Sequence, residues 1–212
     1  VDFPLRPNRL EALCARRLGD DLFVRAARFY AWGTAVLYGS LLVYDPGDPN
    51  GLLVRAVGTL AWIVGGVVGL AAAHDPASSE LDGLLALARQ RGFGAGELSL
   101  ARFTTAARRI TAATAGPALL VSLAPLVHVE SVREAGSCFV RSLGVLAFAA
   151  SLGLTVAGLA RAGALTAPGR GRAALIGIVL LPYALNALSP EVPSVPSLLG
   201  SWLGWLTTRG GA

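Results

Sequence analysis

Residues 97–129 read ELSLARFTTAARRITAATAGPALLVSLAPLVHV, and the fold turns on how this stretch is read. Its first thirteen residues carry Glu97, Arg102, Arg108 and Arg109, whereas the twenty from Ile110 to Val129 contain no Asp, Glu, Lys or Arg. About 20 apolar residues in a helix cross a hydrocarbon core of about 30 Å. No Gly or Pro stands between Arg109 and Ile110, so the spacing predicts one helix that begins in water and runs without a break into lipid. Gly116-Pro117 and Pro125 interrupt the apolar part, which lipid-embedded helices tolerate when neighbours satisfy the freed carbonyls.

The rest of the chain repeats this alternation. Of the 212 residues, 54% are hydrophobic and 15% charged, and the mean hydropathy is +0.60. Too little polar surface is available to clothe a water-soluble globule, so lipid must be the solvent for much of the chain. Further apolar runs at about 26–44, 52–73, 142–160, 173–188 and 194–208 bring the expected spans to six, the last two short for a perpendicular crossing. Arg28 is placed to snorkel from the first span, and Trp32, Tyr38 and Tyr44 suit its interfacial levels. Ahead of that span, residues 8–18 put Leu10, Leu13 and Cys14 on one helical face and Arg9, Glu11, Arg16 and Arg17 largely elsewhere, the pattern of an interfacial amphipathic helix. Segment 1–25 is therefore expected to lie on the membrane, with a single transmembrane domain over 26–212. No cleavable secretory signal is expected, because the first 28 residues are Arg-rich and broken at Gly19-Asp20-Asp21.

Every basic side chain is Arg, and their distribution orients the spans. Arg6, Arg9, Arg16, Arg17, Arg25, Arg28, Arg89, Arg91, Arg102, Arg108, Arg109, Arg161, Arg170, Arg172 and Arg209 fall on one side; only Arg55, Arg133 and Arg141 fall on the other, beside Asp45, Asp48, Glu130, Glu134 and Glu191. Short arginine-bearing loops resist translocation, which predicts a multi-pass protein of a bacterial cytoplasmic membrane with both termini in the cytoplasm. The topology puts Cys14 and Cys138 on opposite sides, out of reach of a disulfide, and His74 and His128 at different depths without second ligands.

Several chemistries are excluded by the residues present. A P-loop needs a Lys to reach the β- and γ-phosphates, and the chain has none, so any ATP must be bound by a partner. Asp82-Gly83-Leu84-Leu85-Ala86-Leu87 departs from the D-G-x-x-A-R core of the CDP-alcohol phosphotransferases at Leu87, and no Asp follows Gly83 to complete a metal site. No span holds a deep carboxylate or a Ser-His pair. No catalytic residue, resident cofactor or metal is therefore expected, and lipid rather than nucleic acid is the expected environment. Gly65-x-x-x-Gly69 and Gly200-x-x-x-Gly204 allow close helix approach, within one subunit in preference to a dimer contact.

The polar segment 74–109 reads as a helical hairpin. Ser79 and Asp82 have capping-box spacing, Leu81, Leu84, Leu85 and Ala88 repeat at helical intervals, Arg91-Gly92 stops the first arm, and Gly92, Gly94 and Gly96 form the turn before Glu97 opens the second. An amphipathic N-terminal helix, two spans, this hairpin and four more spans in little over 200 residues resemble the type-2 ATP-binding-cassette (ABC) exporter permeases. Leu81-Asp82-Gly83-Leu84-Leu85 matches the L-E-x-L-L stretch of that family with Asp for Glu. Glu97-Leu98-Ser99-Leu100-Ala101-Arg102 matches its E-L-x-L-A-K with Arg for Lys, while Ser79-Glu80 replaces the usual Gly-Thr. In size, and in the basic loop feeding a span that ends Leu181-Pro182-Tyr183, the chain looks most like the small haem-exporter B subunits of cytochrome c maturation. No aromatic or His cluster extends the likeness to a haem cargo.

That resemblance implies an all-α polytopic fold with an N-terminal elbow helix and a cytoplasmic coupling hairpin. It implies a permease that pairs with a second copy or a related permease and with ABC ATPase subunits. Leu81, Asp82, Leu84, Leu85, Glu97, Leu98 and Arg102 become the residues expected to couple to the ATPase, Leu81, Leu84 and Leu85 by docking, Asp82 and Arg102 by orienting. The same leucines would also suit the underside of the chain's own bundle, and a non-transporting scaffold that docks another cytoplasmic protein is the alternative. The orientation is directly testable: a membrane-impermeant thiol reagent applied to spheroplasts should leave a Cys at Gly94 unlabelled and label it only after permeabilisation, whereas labelling from outside would invert the topology.

Overall fold

The computed structural model describes residues 22–44, 49–73, 92–166 and 170–189, together with Glu11, Cys14, Ala86, Arg89, Gln90, Glu191, Ser201, Trp202, Gly204 and Trp205. Every regular element among them is helical: α1 (Leu22–Tyr44), α2 (Pro49–Leu60) continued through a π-helical turn (Ala61–Gly65) into α3 (Gly66–Ala72), α4 (Ala95–Leu123) with a 3₁₀ extension (Ala124–His128), α5 (Val132–Thr166) and α6 (Gly171–Leu188). Among the described residues, three stretches are long and apolar enough to cross a membrane: Gly51–Ala72, Ala95–His128 and Val132–Gly163. This is the behaviour expected where backbone N–H and C=O groups must be satisfied without water.

The predicted continuity from the arginine-bearing segment into the apolar run is observed, since α4 is one helix of 29 residues, about 43 Å long. It begins at Ala95, so Gly96 lies in its first turn and not in the preceding loop. Pro117 sits buried inside the helix without ending it, although its ring removes the bond that would reach the Ala113 carbonyl. The apolar run does change character at the second proline, where Ala124–His128 tightens into a 3₁₀ turn. α5 is longer than the predicted 142–160 span at both ends, because the charged Arg133, Glu134 and Arg141 before that apolar run and Arg161 after it are helical too. The predicted run 173–188 lies within α6, with Pro182 inside the helix.

α4 and α5 run antiparallel and approach closely at Gly153. A Cβ there would lie 2.7 Å from the Ala107 carbonyl oxygen and would collide with the Thr111 hydroxyl. Thr111 Oγ1 in turn donates to the Ala149 carbonyl across the same crossing, at 3.4 Å. α3 meets α5 by the same device: a Cβ on Gly69 would stand 2.5 Å from Val156, and Gly65 faces Leu152. The Gly65-x-x-x-Gly69 pair therefore packs within the chain, as expected. Around these crossings Leu42, Val57, Leu60, Val64, Val68, Ile110, Val121 and Phe148 are buried in one core. Trp202, from the 194–208 run, joins it with its ring centroid 5.5 Å from that of Phe148.

Phe29, Val36, Leu37, Phe139, Leu143 and Leu154 are exposed, large and apolar, as side chains facing acyl chains should be. Gly153→Val should lower the unfolding free energy of the detergent-solubilised protein by about 1–3 kcal/mol, since the α4 backbone must retreat. Gly58→Ala, with nothing near its Cβ position, should be neutral or stabilising by thermal melting.

Candidate functional site

The helices alternate in direction, and specific contacts mark the two ends of the bundle. At one end the His128 ring Nε2 lies 2.8 Å from the Val43 carbonyl, joining the ends of α1 and α4. At the other, the start of α4 meets the end of α5, and the start of α6 meets the end of α3. Arg102, Arg108, Arg109, Arg161 and Arg172 gather at this second end, and Arg55, Arg133 and Arg141 at the first. The physical segregation thus follows the segregation read from the sequence.

Local sequence builds the arginine-bearing end. Gly92 takes φ = 80°, a conformation that suits glycine, and its N–H donates to the Arg89 carbonyl at 3.0 Å. Gly94 then caps α4: its carbonyl accepts from the Leu98 N–H at 3.2 Å, and its N–H donates to Glu97 Oε2 at 2.8 Å. A carboxylate in the first turn also complements the helix dipole.

A distant residue docks on the next two turns. Glu11 Oε2 accepts from Arg108 at 2.7 Å, Glu11 Oε1 accepts from Thr104 Oγ1 at 3.1 Å, and the Glu11 carbonyl accepts from Thr105 Oγ1 at 3.4 Å. Thr104, Thr105 and Arg108 occupy i, i+1 and i+4 of one face of α4, so three polar groups converge on one residue of the N-terminal segment. Arg108 is largely exposed, so the ion pair is screened and the bonds act mainly by fixing position. Beside them Arg161 Nε donates to Ser99 Oγ at 2.7 Å, and Arg172 Nε donates to the Leu70 carbonyl at 3.1 Å. The water-exposed start of α4 is thereby tied to the N-terminal segment and to α5, and α6 is tied to α3.

Of the predicted coupling residues, Leu81, Asp82, Leu84 and Leu85 lie outside the described residues, as does most of the predicted 8–18 helix, of which Glu11 and Cys14 are seen as helical. Glu97, Leu98 and Arg102 fall together on the first turns of α4 but divide by role. Glu97 is exposed and caps its own helix, Leu98 is buried and holds α4 to the bundle, and Arg102 is half-buried. Leu100, 61% exposed, is the leucine of this stretch that faces outward. Ser99, Thr104 and Thr105 were not singled out from sequence, and Glu11 and Arg161 were read only as a polar-face residue and an orienting charge, without their partners. The available signal was a Thr-Thr-x-x-Arg face with no local acidic partner.

Cys14 and Cys138 are unbridged, near opposite ends of the bundle. Among the described residues no three His, Cys, Asp or Glu side chains converge on a common point. Among the described residues, the arrangement joins helix ends through side-chain hydrogen bonds.

Glu11→Gln should loosen the N-terminal segment, seen as faster hydrogen exchange over residues 8–18, at a stability cost below about 1 kcal/mol. The charge-swapped pair Glu11→Arg with Arg108→Glu should restore much of the protection, and unchanged exchange in Glu11→Gln would remove the tether. Comparison of the chain with protein-family profiles, with curated proteins and with solved structures finds no match.

Proposed function

We propose that the chain is the membrane-spanning permease subunit of an ABC exporter, energised by a separate ATPase subunit through the 79–109 hairpin. In this reading six helices cross a bacterial cytoplasmic membrane, the 1–25 segment forms the elbow, and both termini and the arginine-bearing end face the cytoplasm. A second copy or a related permease completes the pathway. ATP is bound by the partner, and the chain contributes no catalytic group.

The observation that carries the proposal is the length and continuity of α4. At about 43 Å it exceeds a hydrocarbon core of about 30 Å, so roughly two turns project from the membrane as part of the same rigid rod. A force applied where the chain turns at Gly92–Gly94 is transmitted along a hydrogen-bonded helix. Leu84 and Leu85 on the first arm would dock in the ATPase, and closure of the ATPase pair would press the turn toward the membrane. Ser99–Arg161 and the Gly153 crossing would pass the displacement to α5, while Glu11 limits sideways movement of the exposed turns.

Affinity purification of a tagged chain from native membranes should bring down a P-loop ATPase. Leu84→Asp with Leu85→Asp should leave membrane insertion intact, weaken that co-purification and lower the ATPase rate of the reconstituted complex by at least about fivefold, the low end of ordinary coupling free energies. A chain that emerges alone and monodisperse would favour a non-transporting scaffold, and an unchanged rate in the double variant would remove the docking assignment.

A further inference from the structure

Leu53, Val57, Ala61, Gly65 and Gly69 are all buried and stand four residues apart along the α2–α3 span. Leu60, Val64 and Val68 keep the same step beside them and are buried too. A step of four residues turns an α-helix by about 400°, or about 40° beyond a full turn. In an uninterrupted α-helix the stripe would therefore drift by about 160° between Leu53 and Gly69, almost to the opposite face. The π-helical turn Ala61–Gly65 removes most of that drift. Its bonds close over five residues instead of four, so one extra residue is taken into the turn, which subtracts about 100° and leaves about 60°. Both halves of the span can then face the same bundle: α2 packs on α1 and α4, and α3 packs on α1, α4 and α5.

The two halves are held differently. α3 lies on α5 with no slack, since a Cβ on Gly69 would stand 2.5 Å from Val156, and Arg172 of α6 donates to the Leu70 carbonyl at 3.1 Å. α2 meets its neighbours through Leu53, Val57 and Leu60 in the apolar core. In lipid, apolar contact does little by itself to hold one helix against another.

Between the halves, two causes of helix bending coincide, a π-helical turn and a pair of small residues, Gly65-Gly66. A Cβ on Gly65 would meet Leu152 at 3.6 Å, an ordinary contact. Gly66 is exposed, and a Cβ there would have nothing within 4 Å. Packing therefore does not call for glycine at Gly66, where it loosens a helix relative to alanine.

We propose that the π-helical turn is a hinge. α3 stays fixed on α5 while α2 swings about Ala61–Gly65, opening and closing the seam that α2 makes with α1 and α4 at the end of the bundle opposite the arginine cluster. The hinge lies outside the α4–α5 route of the proposed coupling, and it stands whether or not the chain has an ATPase partner.

The test uses the full chain in nanodiscs, with Cys14 and Cys138 replaced by Ala and spin labels placed in pairs for distance measurement by double electron–electron resonance. Labels on Arg55→Cys and Leu143→Cys report α2 against α5, and labels on Val67→Cys and Leu154→Cys report α3 against α5. Arg55, Leu143 and Leu154 are exposed and Val67 is half-buried, so the labels fit without displacing the core. The Arg55–Leu143 distance distribution should be the broader of the two. Gly66→Ala should narrow it toward the Val67–Leu154 width, whereas Gly58→Ala, the same change ahead of the turn and also with nothing near its Cβ position, should leave it unaltered. Equal widths for the two pairs before either substitution would overturn the hinge. So would an Arg55–Leu143 distribution that Gly66→Ala leaves as broad as before, or that Gly58→Ala narrows to the same extent.

Discussion

The close crossing of α4 and α5 at Gly153 is the contact on which the rest of the bundle depends. Lipid tails are as apolar as the side chains they surround, so burial of apolar area does little to drive one membrane helix against another. Close packing and interhelical hydrogen bonds must do it, and both are concentrated here: a missing Cβ lets the Ala107 carbonyl approach, and Thr111 reaches the Ala149 carbonyl. With that pair fixed, α3 can lay Gly69 against Val156 on another part of α5, and α1 can rest the edge of Trp32 on Gly116 of α4. A water-soluble bundle could loosen such contacts and still be held by its core. In lipid the small residues and the polar bridges are the organising force.

How much of this was legible in sequence follows from the range of the interaction concerned. Apolar runs mark hydrocarbon thickness, so residues 52–73 and 110–129 were found nearly in place. The same reading stopped α5 at Ser142, because a run of apolar residues reports the membrane and not the helix: Arg133, Glu134 and Ser137 are helical but polar. The turn at Gly92 was legible because left-handed backbone favours glycine. Gly65 and Gly69 announced a close approach without saying to what, since a missing side chain carries no address. Glu11 on Thr104, Thr105 and Arg108, and Arg161 on Ser99, were illegible for a similar reason. Neither pair lies within one helix or one turn, so no local periodicity points from one partner to the other.

The polar contacts fall into two groups with different consequences. Toward the His128 end, Ser122 and Ser142 satisfy one another and nearby carbonyls, shielded from water, and Thr114 returns its hydroxyl to the Ile110 carbonyl. These bonds fix the packing of α4 and α5 in a medium that offers no substitute partner. At the arginine-bearing end, Glu11–Arg108 and Gly94–Glu97 are exposed, and water can replace either partner at small cost. The exposed contacts are therefore the weaker ones, and the buried bonds and the Gly153 crossing hold α4 to α5.

The position of Pro117 sharpens that distinction. Helices yield where a proline has removed a backbone hydrogen bond, and α4 has its proline six residues beyond Thr111, on the far side of the Gly153 crossing from the exposed start. Between Ala95 and the crossing the helix carries no such weak point, and the Arg161–Ser99 bond fastens it to α5 near its beginning. A push at Gly94 therefore reaches α5 before it reaches the place where α4 can most easily bend. With the order reversed, and Pro117 ahead of the crossing, the same push would be taken up as a kink in α4 alone. The order observed makes the first half of α4 and the adjoining half of α5 a single stiff unit, with the compliance left to the Pro117–Pro125 segment at the opposite end.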